Sequence, residues 1–169
     1  YSMHLNALKS AHLLCYRLRL RNQGVRISSE RGFLMKTIEA PFKTCVFTLH
    51  VDVTTAPEFI DITERVAEFV RESQIRNGFA LVFSRHTTAA ITIQENEPLL
   101  LTDFVSLLER AAPRNAHYRH NDFSVRTVHM QEDECPNGHS HCQHLTLGTS
   151  ETLPVIDGAI PLGQWQRIF

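Results

Sequence analysis

Three observations predict an α+β domain, with mainly antiparallel β-sheets in a sandwich-like arrangement and two principal helices. Apolar and polar side chains alternate over 44–53, two later stretches repeat at helical spacing, and the two kinds of stretch follow one another irregularly. In the first stretch Cys45, Phe47, Leu49, Val51 and Val53 share one face, with Thr44, Thr48, His50 and Asp52 between them. A period of two with one polar face predicts a half-buried antiparallel strand. Pro57 and Glu58 open the first predicted helix, in which Phe59, Ile62, Val66 and Phe69 recur to about Ser73. Asn77-Gly78 predicts a turn, and the apolar run 79–83 a central strand. Another strand is predicted over 89–93. Leu100, Leu101, Phe104, Leu107, Leu108 and Ala111 mark the second helix, which ends before Pro113. The stretch 114–138 is long and polar, with short strand potential near 123–128, and loops of this length tend to be functional or disordered. Strands follow at 145–147, 152–156 and 164–169, with Asp157-Gly158 as the turn between the last two.

A chain of 169 residues with 43% hydrophobic content is expected to build one domain around a proper core. It has no run of about 18 consecutive apolar residues, the length a membrane span takes, so no membrane partner is expected. The net charge of −1 hides an uneven split: residues 1–34 carry six basic side chains against Glu30 alone. The remainder carries eleven basic and seventeen acidic residues. That acidic body argues against nucleic acid, whose phosphates need basic faces. Arg-rich, acid-poor heads occur in targeting segments, but the plainer reading is upstream sequence ahead of a start at Met35-Lys36-Thr37. The 1–34 extension shows no alternation and no apolar stripe and is expected to be poorly ordered, leaving 35–169 as the single domain. The four cysteines (Cys15, Cys45, Cys135, Cys142) lack framework spacing and no signal peptide precedes them, which points to a reduced, cytoplasmic setting. The last stretch is still alternating at Phe169, so the domain is expected to be truncated at its C-terminus.

Seven of the ten histidines fall between His86 and His144. Imidazole is the commonest neutral metal ligand and the natural acid/base group near neutral pH. The run from Cys135 to His144 is rich in ligand types, but structural zinc draws paired ligands from two motifs, and only one cluster exists here. On a strand, His139 and His141 would share a face with Gln143 while His144 points away. His86, His120 and His141 come from three segments and match an open metal site that keeps a position for water or substrate. For His117, His129, His139 and His144 the ordinary structural role is the better reading. Arg85, Thr87 and Thr88 suit an anion through charge and hydroxyl donors, though threonine is also an ordinary strand former. Glu95 is placed to act as a general base or to orient an imidazole, and acidic residues there also complement a helix start. Asp103 has a solvated helix position as its plain reading. Trp165 suits stacking on a heteroaromatic ring or a place in the core.

Several motifs occur in the order of one family: His86-Thr87-Thr88-Ala89-Ala90, Gln94-Glu95-Asn96, Asp103 and Tyr118-Arg119-His120-Asn121-Asp122. Asn137-Gly138-His139-Ser140-His141, Leu147-Gly148-Thr149-Ser150 and Gly163-Gln164-Trp165-Gln166 follow. Together they resemble the YjbQ-like family, whose bacterial members are described as secondary thiamine-phosphate synthases, from about Met35 to Phe169. The resemblance implies a compact α+β subunit assembled as a homotrimer, with a histidine-lined site near the subunit boundaries. Its motif histidines map onto His86, His120 and His141, here expected to hold a divalent metal. Imidazoles suit zinc or another transition metal, whereas magnesium prefers oxygen and goes with a diphosphate substrate. Glu95, Thr87, Thr88 and Asp103 form the expected catalytic set, and Arg85, Arg119, Trp165 and Gln166 the expected substrate-binding set.

The implied reaction joins a pyrimidine methyl diphosphate to a thiazole phosphate and releases diphosphate, so the partner is a small phosphorylated metabolite. Three departures stand out: His139 where many members carry another residue, Gln94 where Asn is commoner, and no acidic residue and arginine after the Trp-Gln strand. Two alternatives stay open. One is a metal-dependent hydrolase of a small phosphorylated or amide substrate, with bound water and Glu95 as base. The other is a trimeric metal- or metabolite-binding module that catalyses nothing.

Overall fold

In the computed structural model the described residues are 9–18, through their backbone, and 42–169. Strands β1 (Lys9–Leu18), β2 (Phe42–Val51), β3 (Gly78–Ser84) and β5 (Ser150–Val155) form a four-stranded sheet in the order β2-β1-β3-β5. Every pairing in it is antiparallel, with Leu13 opposite Phe47 on one side and Val82 on the other. A second, two-stranded antiparallel sheet joins β4 (Ile93–Glu95) to β6 (Gln166–Ile168). Helices α1 (Thr63–Ser73), α2 (Pro98–Ala111) and α3 (Gly138–Leu147) complete the α+β fold, with a single 3-10 turn over Arg119–Asn121.

The core forms where α1 meets the larger sheet. Ile62, Val66, Phe69 and Val70 pack with Ala80, Val82, Leu153 and Val155, and the rings of Phe47 and Phe69 stack with centroids 4.8 Å apart. Burying each of the larger aliphatic side chains contributes about 1.5–3 kcal/mol. Along β2 the odd positions are half-buried and the even ones exposed, the alternation expected over 44–53. In β3, Ala80, Val82 and Ser84 are buried while Phe79 and Phe83 stand 53% and 38% exposed.

The chain departs from its sequence reading in several places. Within the 1–34 extension, expected to be poorly ordered, Lys9–Leu18 is a strand between two others. The apolar run Leu13-Leu14-Cys15-Tyr16 is a strand signal that a search for alternation does not register. The rest of that extension, and the expected start at Met35, lie outside the described residues. Helix α1 begins at Thr63 rather than near Pro57, because the Ile62 N–H donates to the Ile168 carbonyl at 2.8 Å and Asp61 Oδ1 accepts from the Thr63 N–H at 2.9 Å. The strand expected over 89–93 shifts to Ile93–Glu95, since His86 to Ala89 is spent on a turn. The 123–128 stretch is turns, organised by Asp122, whose carbonyl accepts from Val125 and Arg126 and whose side chain accepts from Ser124. Asp157 and Gly158 form a two-residue turn with φ of 51° and 86°, but β5 and β6 on either side of it belong to different sheets.

The largest correction is α3. A third helix replaces the strand expected at 145–147 and the strand geometry considered for His139 and His141. Its sequence is poor in helix formers, so tertiary contacts decide. Gln143, buried, donates its amide to the Leu108 and Ala112 carbonyls at 3.3 and 3.1 Å, satisfying the C-terminal end of α2.

Candidate functional site

Two of the three expected ligand histidines meet. His120 sits on the 3-10 turn and His141 on the first turn of α3, and their rings lie edge to face with centroids 4.6 Å apart. Gly138 permits this approach. A Cβ at that position would stand 2.7 Å from Tyr118 Cβ, while the Gly138 N–H donates to Asn121 Oδ1 at 2.8 Å. The start of α3 is thereby held against the turn that carries His120.

Two residues outside the expected set complete the cluster. Arg126 Nη1 donates to Glu134 Oε1, and both side chains are only 15% exposed. The same Nη1 lies 3.2 Å from His120 Nε2, and Glu134 Oε1 lies 3.5 Å from that nitrogen. Arginine only donates, so the Arg126 contact needs a deprotonated Nε2, whereas a protonated Nε2 has the Glu134 carboxylate beside it. The Arg126 hydrogen bond holds the Glu134 carboxyl below the usual carboxylate range. Burial, and then the charge of His120, push the His141 imidazole below its ordinary value, against an opposing hydrogen bond to the Thr87 backbone. His141 is therefore favoured as a neutral base beside a guanidinium, an arrangement suited to binding an oxyanion and moving one proton.

The other expected residues are placed as follows. His86 is half-buried on the turn after β3, its N–H 3.4 Å from Ser84 Oγ. Thr87 reaches the cluster through its backbone, and Thr88 lines a neighbouring cavity. Arg85 and Arg119 are exposed, as is Asp103 on α2. Glu95 and Gln166 are opposed across β4 and β6, and Gln166 Oε1 accepts from the Gly163 N–H at 2.8 Å. Trp165 is exposed, not a core residue.

The donor set does not match the expected three-imidazole metal centre. Among the described residues no group of three His, Cys, Asp or Glu side chains is arranged to hold a metal ion. The Arg126 guanidinium occupies the space beside His120 Nε2, where a cation bound through that nitrogen would meet its charge. Arg126 and Glu134 escaped the sequence reading because they are one of three arginines and one of four acidic residues in the 114–138 stretch, and nothing in the spacing singles them out.

Residues 47–169 match the family model described as UPF0047 protein YjbQ-like. A UPF0047 protein of Methanothermobacter thermautotrophicus is 43% identical over 126 residues, covering 73% of this chain and 80% of that protein. The UPF0047 protein YugU of Bacillus subtilis is 34% identical, covering 72% and 84%. Among solved structures, an uncharacterised YjbQ/UPF0047 protein of Clostridium acetobutylicum superposes with a TM-score of 0.60 at 33% identity, covering 70% of this chain and 82% of that one. A protein of unknown function from Sulfolobus solfataricus gives a TM-score of 0.59 at 33% identity, covering 69% and 78%. Among the described residues no helix is long and apolar enough to cross a membrane.

Proposed function

Since the chain belongs to the YjbQ-like UPF0047 family, we propose that it acts on a small phosphorylated metabolite at the cluster of His120, His141 and Arg126. The reaction we assign is thiamine-phosphate-synthase-like transfer of a pyrimidine methyl group from diphosphate to a thiazole phosphate. The observation that carries this reading is a guanidinium only 15% exposed, set against the edge-to-face pair of imidazoles.

In that reaction the bond between the pyrimidine methylene carbon and the diphosphate oxygen breaks, and its electron pair leaves with the diphosphate. The thiazole nitrogen lone pair forms the new carbon–nitrogen bond. Arg126, whose Nε and Nη2 also donate to the Val128 and His129 carbonyls, offers the departing oxyanion its positive charge and one remaining Nη2 hydrogen, and His120 adds a further donor when protonated. Glu134 holds Arg126 in place. A divalent metal belongs to this reading as a companion of the diphosphate oxygens, with magnesium the natural choice. No step assigned to the protein runs through it.

Burial, which disfavours the protonated form of His141, also favours a second reading, hydrolysis of a small phosphorylated substrate, with His141 accepting the proton of an attacking water. We take the functional unit to be a homotrimer in either case. Support comes from Leu99, Leu107 and Leu145, which stand 75%, 55% and 85% exposed, as apolar side chains at subunit contacts would in a lone chain.

The test supplies both phosphorylated substrates and magnesium to the full chain and follows thiamine phosphate, diphosphate and orthophosphate. Thiamine phosphate with equimolar diphosphate, both lost in Arg126→Ala and His141→Ala, is the expected result. Orthophosphate without thiamine phosphate moves the assignment to hydrolysis. Binding with no turnover leaves a binding module.

A further inference from the structure

One face of the four-stranded sheet packs on α1, and the other is bare among the described residues. On that outer face Val46, Phe79 and Phe83 stand 61%, 53% and 38% exposed, with Leu81 half-buried along the same side of β3. Thr44, Thr48 and His50 of β2 and Ser150, Thr152 and Pro154 of β5 are its other exposed residues. The register sets them in cross-strand rows. Thr44 and Phe79 lie opposite Tyr16 of β1, Val46 and Leu81 opposite Leu14, and Thr48 and Phe83 opposite His12. On the far side Phe79, Leu81 and Phe83 lie opposite Pro154, Thr152 and Ser150. None of the ten residues named on β2, β3 and β5 is Asp, Glu, Lys or Arg. A solvated surface of that size holds roughly three charges.

The face has the anatomy of an interface, with its aromatic centre on the inner strand β3 and hydroxyl side chains on the edge strands β2 and β5. Strands of ten, ten, seven and six residues, spaced by about 4.8 Å and rising about 3.3 Å per residue, give it roughly 500 Å². Two such faces together reach about 1,000 Å², the size at which a specific interface begins. We propose that this face packs against the same face of a second copy of the chain, with the two sheets stacked about 10 Å apart. A face without fixed charge suits its own copy, because pairing brings no like charges together, and it offers nothing to hold nucleic acid or another charged partner. The contact is isologous and joins copies in pairs. It is separate from the trimer contacts assigned to Leu99, Leu107 and Leu145 and does not depend on the reaction proposed above.

Sedimentation equilibrium of the full chain tests the pairing. The native chain is expected as two copies, or as six where the trimer forms as well. Val46→Glu and Phe79→Glu each set two carboxylates into the paired faces and are expected to halve that mass. Val46 is an exposed position on an edge strand, so its variant disturbs the contact without entering the core, and urea unfolding identifies the variants that fold. Leu107→Glu lies outside the face and is expected to leave an even number of copies. The proposal is overturned if the native chain sediments as an odd number of copies, or if a folded face variant keeps the native mass. Lowered stability of the face variants at unchanged mass would assign the cover to the chain's own residues and overturn it equally.

Discussion

The rings of His120 and His141 meet edge to face at 4.6 Å, although one belongs to a single 3-10 turn and the other to helix α3. Nothing local brings them together. The contact depends on how α3 is seated, and that seating rests on a glycine, an asparagine and a buried glutamine.

Gly138→Ala is accordingly expected to loosen this contact. The added methyl meets Tyr118 Cβ at 2.7 Å and Tyr118 Cγ at 2.9 Å, both near the backbone and slow to give. Overpacking of this kind costs about 1–3 kcal/mol. Urea unfolding measures the loss, and ring-to-ring contacts between His120 and His141 in nuclear Overhauser spectra should weaken in the variant. A variant as stable as the parent, with those contacts intact, contradicts the role given to Gly138.

Arg126 and Glu134 are expected to behave as a unit. Removing either leaves a charge only 15% exposed without its main partner, so Arg126→Ala or Glu134→Ala should each cost about 2 kcal/mol. The double variant should cost less than the sum of the two, giving a coupling of about 1–2 kcal/mol. Additive losses in a thermodynamic cycle from urea unfolding would show that the pair acts independently.

His141 sets a pH dependence whose sign follows from its lowered value. Burial and the neighbouring His120 charge disfavour its protonated form in the folded chain. Between the lowered value and the ordinary value near 6.5, the unfolded chain therefore binds more protons than the folded one. Stability is full above that ordinary value and falls as the pH drops through this window. Replacing His141 with glutamine should flatten the decline measured between about pH 7 and 5, while His139, shifted in the same direction by burial and Arg114, keeps part of it. Identical slopes in parent and variant would contradict the shift.

Asp61 acts at lower pH. Burial raises its carboxyl, but hydrogen bonds from Arg167, Thr63 and Asn96 outweigh that and hold it at about 2. Its ordinary value is 3.8, so its contribution is complete above that and is lost as the pH falls toward 2. These bonds join the start of α1 to β6, where the Ile168 N–H also donates to Thr63 Oγ1 at 2.8 Å. Asp61→Asn should remove the acid-dependent loss of stability in that interval, and an unchanged acid unfolding midpoint would count against it.

The sequence made the α+β class legible because β2 and α2 carry strong periods of two and of 3.6. It made His120 and His141 legible as chemically notable residues, but not their meeting, which needs α3. That helix was hidden because its glycine, serine and histidines are weak helix formers and its stability comes from Gln143 reaching the end of α2. Arg126 and Glu134 were hidden for a related reason. Their loop is ordered by Asp122 turns and by each other, and neither leaves a repeating pattern.

The most direct test of the proposed site is a calorimetric titration of inorganic diphosphate into the full chain, repeated with Arg126→Ala and His141→Ala once each is shown to fold. The account predicts binding by the native chain, weakened about tenfold or more in each variant, which corresponds to about 1.4 kcal/mol. Absence of binding by the native chain, or affinity unchanged in both folded variants, would contradict it.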